Sequence, residues 1–228
     1  DGSIALTGAS VNREAGFSMV TYAGTGSAGT VGHGLGKKPT FWLMKNTSDT
    51  SGWFTYYTFT DGSLDYMYLD TTAAKANSNA SVPTTTTVGA TSSLSTSGDT
   101  WIVYAWTDIP GYSKFGVYTG NGSANGPFIH LGFRPALFIQ KKTSGTGNWY
   151  IFDNKRSGFN VDNDMLTPNL TDAEYDGQTY PRLDFVSNGI KWVDAGSSVH
   201  NASGETYIYM AFAERPSGTI FGIDANAR

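Results

Sequence analysis

One pattern occurs twice along this chain, and that repetition limits its folds more than any motif does. Residues 22–54, "YAGTGSAGTVGHGLGKKPTFWLMKNTSDTSGWF", lie without a gap over residues 118–150, "YTGNGSANGPFIHLGFRPALFIQKKTSGTGNWY". Tyr22 meets Tyr118, Gly24 meets Gly120, Gly26 meets Gly122, Pro39 meets Pro135, Lys45 meets Lys141 and Trp53 meets Trp149. A second block, "SGDTWIVYAWTDIP" at 97–110, recurs as "SGETYIYMAFAERP" at 203–216, a larger offset that places insertions around "LTPNLTDAEYDGQTYPRL". Self-similarity of this length marks two tandem folding units. The expected boundaries are 16–111 and 112–216, with 1–15 as a lead-in from an upstream region and 217–228 as a C-terminal tail. Only Ile109-Pro110-Gly111 separates the copies, so they are expected to pack tightly.

Each unit reads as β-structure. Glutamate occurs only four times, 28 residues are glycine, and 14% are aromatic, which leaves few good helix formers and many strand and turn residues. Alternation and turn signals place strands near 17–23, 40–46, 52–59, 65–70, 84–91 and 100–107, then near 113–119, 136–142, 148–153, 183–187, 189–193 and 205–213. "TWIVYAW" and "TYIYMAF" read as strands buried on both faces, and Asn188-Gly189 as the strongest hairpin turn. The expected fold is all-β: two jelly-roll-like β-sandwiches, with one large pseudo-symmetric concanavalin-like sandwich as the alternative.

Several chemistries fall away. With no cysteine there is no disulfide or thiolate, and a net charge of -4 without a basic run argues against nucleic acid. No apolar stretch reaches the length of a membrane span. Nor is "DGSIALTGAS" a signal peptide; without an initiator Met it reads as the start of an excised or processed piece. Gly24-Thr25-Gly26-Ser27-Ala28-Gly29 matches G-x-G-x-x-G, yet "TVGHGLGKKP" follows it, where no helix can start. The second copy also loses the third glycine, so these are turn glycines. His33, His130 and His200 fall at non-equivalent places, and no nucleophile elbow occurs.

Asp65, Asp70, Asp162, Asp164, Asp172, Glu174 and Asp176 could pair for glycoside hydrolysis, but most lie in turn-like surroundings. "VDNDM" spaces Asp162 and Asp164 as a calcium loop would, without the remaining ligands, leaving a structural Ca²⁺ as the one cofactor to consider. Aromatics are more suggestive. Trp53 and Trp149 each follow a turn and read first as core residues, with a sugar platform as the functional reading. Tyr66, Tyr68, Tyr175, Tyr180 and Trp192 lie in non-repeated or loop-adjacent segments and are expected to be better exposed.

The stretches "GFSMVTYAGTGSAGTVGHGLGKKP", "GYSKFGVYTGNGSANGPFIHLGFRPALFIQKKTSGTGNWYIFD" and "SGETYIYMAFAERP" resemble repeats of tail-fibre-like and other virion-associated proteins of tailed, often marine, phages. The resemblance spans residues 1 to about 216 and carries no catalytic residues. It implies an extracellular virion surface, an oligomeric and often trimeric appendage, and contacts with other virion subunits. "GIDANAR" fits the chain end of such proteins, so the sequence is expected to be the C-terminal part of a longer protein. The function expected is non-enzymatic host attachment through cell-surface glycan. A purely structural virion role and a polysaccharide depolymerase are the alternatives.

Overall fold

The computed structural model describes residues 2–176, 181–195 and 199–214. These residues are all-β, their one helical element being a 3-10 turn at Ser92–Leu94. The chain divides into two units: residues through Asp70 with Lys75–Asp108, and Thr71–Ala74 with the residues from Ile109 onward.

In the first unit the strands are β1 (Leu6–Asn12), β2 (Phe17–Ala23), β3 (Gly29–Gly32), β4 (Phe41–Asn46), β5 (Phe54–Tyr57), β6 (Asp65–Tyr68), β7 (Ala76–Asn77), β8 (Thr87–Ala90) and β9 (Thr100–Trp106). Seven of them form one antiparallel sheet in the order β1-β2-β9-β4-β5-β6-β7, and β3 pairs with β8 in a second. The sheets form a sandwich. Val20, Tyr22, Trp42, Met44, Trp101 and Val103 of the large sheet share a core with Val31, Val88 and Ala90 of the small one.

The second unit holds β10 (Ser113–Thr119), β11 (Phe128–His130), β12 (Leu137–Lys142), β13 (Trp149–Asp153), β14 (Leu183–Val186), β15 (Gly189–Trp192) and β16 (Thr206–Phe212). One sheet runs β10-β16-β12-β13 and the other β11-β15-β14. Tyr118, Phe138, Phe152 and Tyr207 share a core with Ile129, Leu183, Ile190 and Trp192. Each unit thus buries its own core, which makes two sandwiches and not one. In both, the last strand inserts between two strands made earlier, β9 between β2 and β4 and β16 between β10 and β12.

The duplicated glycine turn acts at that entry point. Gly24 N–H donates to Asp99 O (2.8 Å) and Gly120 N–H to Glu205 O (2.9 Å), while Gly26 and Gly122 donate to Ser95 O (2.5 Å) and Asn201 O (2.8 Å). Thr25 N–H and Asn121 N–H complete the pattern with the side-chain oxygens of Ser95 and Asn201. A Cβ at Gly24 would lie 1.9 Å from Thr96 O, and one at Gly120 would lie 2.2 Å from Ala202 O, so no side chain fits at either place. The hydroxyls of Tyr22 and Tyr118 donate to Leu94 O and His200 O in the same segments. The repeated lysines also act alike. Lys45 Nζ donates to the carbonyls of Asp49 and Ser51, and Lys141 Nζ to that of Gly147. Each ammonium closes the loop of its own hairpin.

Three expectations need correction. Residues 6–12 are not part of a lead-in: β1 pairs with β2 along its length, apart from an irregularity between Leu6 and Gly8, and Ile4 bridges to Val31 of the other sheet. The β14–β15 hairpin turns at Ser187-Asn188, one residue early. Gly189 instead opens β15, where a Cβ would meet Ile129 O at 2.1 Å. Of the two long aromatic strands, only β16 is buried continuously, from Tyr207 to Ala211; in β9 the buried positions alternate with half-buried ones.

Replacing Gly24 or Gly120 by Ala is expected to cost about 2–3 kcal/mol each, as overpacking against a fixed backbone does. Thr25→Ala, which keeps the backbone bonds, should cost under about 1 kcal/mol. Denaturant melts of the three variants measure the difference.

Candidate functional site

The β5–β6 hairpin carries the most distinctive surface of the first unit. Phe54 pairs with Tyr68 and Tyr56 with Tyr66 across the two strands. On the other side Phe54 pairs with Met44 and Tyr56 with Trp42, both core residues. Residues two apart on a strand share a face, so all four rings point to the core side of the large sheet. The opposing sheet has only two strands and cannot cover seven. Burial therefore falls off along the row: Trp42 is 0% exposed and Tyr56 4%, whereas Phe54, Tyr66 and Tyr68 are half-buried. The rings touch in sequence, with Trp42–Tyr56 centroids 5.5 Å apart, Tyr56–Tyr66 5.9 Å, Tyr66–Tyr68 5.7 Å and Phe54–Tyr68 4.8 Å.

Polar groups hold this rim in place. Buried Asp65 accepts from Lys75 Nζ (2.9 Å) and from the Thr60 hydroxyl, and Lys75 also reaches Asp61 (3.2 Å), tying the hairpin turn to β7. Hydrogen bonds from Ser63, then from Lys75, pull the Asp61 carboxyl down to about 2. At the opposite end Asp70 Oδ1 accepts from Trp53 N–H (3.2 Å). Gly52 leaves room there: a Cβ would lie 2.9 Å from the Tyr68 ring and 3.1 Å from Asp70. Burial, the neighbouring Tyr66 hydroxyl and the charge of Asp70 raise the Tyr68 hydroxyl above its ordinary pKa, so it is a neutral hydrogen-bonding group at physiological pH.

The second unit closes the equivalent place. Tyr150 and Phe152 stand where Phe54 and Tyr56 do, but are 5% and 0% exposed. The inserted segment covers them: Met165 and Leu183 join this core, and Leu166 bridges to Ile151. Asn148, at the position of Gly52, accepts from Asn169 (2.9 Å). An aromatic rim is thus left partly open in one unit and sealed in the other.

The structure brings Tyr66 and Tyr68 together and separates the other expected site residues. Trp192, expected to be exposed, is 0% exposed in the second core, where Tyr118, Phe152 and His200 pack around it. Trp149 is equally buried but on the other side of its sheet, with Lys141 Nζ 5.9 Å above its ring. Burial lowers the Lys141 ammonium to about 8. Trp53, the repeat equivalent, also lies on the outer face, where it stacks on Tyr104 at 6.2 Å. Neither tryptophan is in a sandwich core. Tyr175 packs half-buried on the second core and donates to Asp172 (2.5 Å). Tyr180 lies outside the described residues.

Asp162 and Asp164 belong to a largely buried polar network. Asp162 exchanges backbone bonds with Leu183, Ser157 donates to Asp164 (2.7 Å), and nearby Arg156 bridges Asp153 (2.6 Å) and Glu174 (2.7 Å). Desolvation pushes Asp162 up to about 7. Among the described residues no three His, Asp or Glu side chains are arranged to hold a metal ion, and two carboxylates fall short of the six to eight oxygens that calcium takes.

Two features escaped sequence reasoning. Phe17, Tyr104 and Trp106 form a half-buried row on the outer face of the large sheet, with Phe17–Trp106 at 5.0 Å and Tyr104–Trp106 at 6.4 Å. The period-two spacing of Tyr104 and Trp106 in "TWIVYAW" carried that signal. Asp194 and His200, buried and 2.6 Å apart, gave none. Two depressions among the described residues, of about 230 and 320 Å³, are lined by glycine, alanine, hydroxyl and amide side chains and Arg13, and by no aromatic ring.

Fold and site together define a two-unit β-sandwich protein with an aromatic surface rim on its first unit. A family described as a domain of unknown function (DUF7483) matches residues 1–216, and the chain belongs to it. No curated protein and no solved structure matches the chain. Among the described residues no helix is long and apolar enough to cross a membrane.

A proton-linked prediction follows from Asp162. Its folded pKa lies above its unfolded value of 3.8, so its favourable contribution is complete below about pH 4 and is lost as pH rises through 7. Asp162→Asn, which mimics the neutral acid, should gain stability relative to wild type between pH 5 and 8, measured as melting temperature against pH.

Proposed function

We propose that this protein is a non-enzymatic surface domain of a phage virion, of the tail-fibre type, that takes part in host attachment by binding cell-surface glycan. The observation that carries the glycan reading is the open rim of Phe54, Tyr66 and Tyr68 at a position the second unit seals. Half-exposed rings on a rigid hairpin offer flat apolar faces to the C–H side of a sugar, and the tyrosine hydroxyls and Asp70 offer hydrogen-bond partners to its hydroxyls. Aromatic anchors of this kind dominate recognition energies. The virion setting, extracellular location, trimeric assembly and neighbouring virion subunits come from the sequence resemblance.

Tyr68→Ala and Tyr66→Ala should each weaken binding to host envelope polysaccharide by about tenfold or more, the loss typical of one anchor. Trp149→Phe, in the second unit, should leave binding unchanged when stability is matched. Glycan arrays and competition of phage adsorption by the recombinant chain read the outcome. No binding to cells or envelope polysaccharide would sink the proposal.

The outer row of Phe17, Tyr104, Trp106 and Trp53 favours a second reading, in which the domain is a structural virion component. With Leu43 half-buried and Met19 36% exposed, these residues form an apolar surface suited to a neighbouring subunit. On that reading Trp106→Ser lowers the oligomeric state seen by light scattering, or lowers incorporation into particles, without changing glycan binding.

A further inference from the structure

We infer that the rim selects neutral saccharides over anionic ones, with Asp70 as the specificity-determining residue that accepts from adjacent sugar hydroxyls beside the Tyr68 ring. This rests on the glycan reading above and deepens it.

Three observations carry the inference. First, Asp70 is exposed, and its one hydrogen bond among the described residues, from Trp53 N–H, uses Oδ1. Oδ2 is left as an acceptor beside the Tyr68 ring. Gly52 keeps both approachable, since a methyl group there would clash with the Tyr68 ring and press on the Asp70 oxygens. A carboxylate next to an aromatic face suits a ligand that presents an apolar flank and hydroxyl donors together. A carboxylate oxygen accepts hydrogen bonds from hydroxyls and offers no donor to a second anion.

Second, the cations of the first unit are engaged or remote. Lys45 Nζ is held by the carbonyls of its hairpin, and Lys75 Nζ is shared by Asp61 and Asp65. Arg13 is bound to Gly34 O just beyond β1, five strands from β6. Lys37 and Lys38 precede Phe41, the end of β4 away from the Met44–Phe54–Tyr68 row. Among the described residues of this unit, both ammonium groups near the rim already donate to protein oxygens.

Third, the charge that flanks the Tyr68 ring is negative. Asp70 lies beside that ring, while the charge of Asp49 in the β4–β5 loop faces that of Lys45. An anionic sugar would meet like charge and lose hydration without a partner, which is the arrangement that rejects wrong ligands.

The test uses the full chain and matched polysaccharide pairs: a β-glucan with its carboxymethyl derivative, and a galactan with its sulfated form. Titration calorimetry or affinity electrophoresis compares wild type, Tyr68→Ala and Asp70→Asn. The Asn variant keeps the acceptor used by Trp53, and a melting curve checks its fold. The expected result is that the neutral member of a pair binds about tenfold or more tighter, that Tyr68→Ala loses this binding, and that Asp70→Asn narrows the gap. If the charged member binds as well or better while Tyr68→Ala still abolishes binding, the neutral selectivity is overturned and the aromatic reading stands. If neither member of either pair binds, or Tyr68→Ala changes nothing, the glycan reading fails and takes this inference with it.

Discussion

Both sandwiches depend on a backbone approach that only glycine permits. At Gly24 and again at Gly120, a chain segment passes so close to a carbonyl that even one carbon atom would overlap it. That contact joins the end of a neighbouring strand, β2 or β10, to the segment feeding the last, β9 or β16. The last strand lies inside its sheet, between β2 and β4 or between β10 and β12, so its placement sets the register of the strands on either side of it. Hydrogen bonds from the two glycines of each turn, together with a tyrosine hydroxyl, fix the segment before the strand begins. A pattern that resembles a phosphate cradle is a clamp between backbones.

From that shared frame the units diverge, and one divergence shapes the candidate site. The large sheet of the first unit is broader than its partner, and its aromatic row runs out from the core until the rings are only half covered. The second unit begins the same row with Tyr150 and Phe152 but uses its insertion to cover it. Duplication followed by a local insertion leaves one sealed and one open version of the same surface. The sealed version shows what the open one lacks.

Much of the fold was readable because strands such as Phe17–Ala23 and Leu183–Val186 alternate between buried and more exposed positions. β3 and β11 were missed because Gly29-Thr30-Val31-Gly32 and Phe128-Ile129-His130 are too short to show a period. β1 was missed because "LTGASVN" is exposed throughout, so burial writes no pattern into it. The rim was half legible: Tyr66 and Tyr68 stood out as non-repeated aromatics, but Phe54 looked like an ordinary strand residue. Its exposure depends on the narrowness of a sheet formed by segments far away in the chain. Trp192 failed for the converse reason. Nothing in "GIKW" tells that Tyr118 and His200, distant in sequence, will close over the ring.

The central position of the last strand has a consequence for the order of synthesis. As the first unit leaves the ribosome, β2 and β4 emerge well before residues 100–106 exist to join them. Until then the large sheet is two separate pieces, each with an open edge and an uncovered apolar face. Long-range pairing of this kind is slow, and it leaves nascent chains prone to wrong partners. The first unit can therefore be completed only after residue 106 has been made, and its open edges set the interval in which a chaperone would matter most.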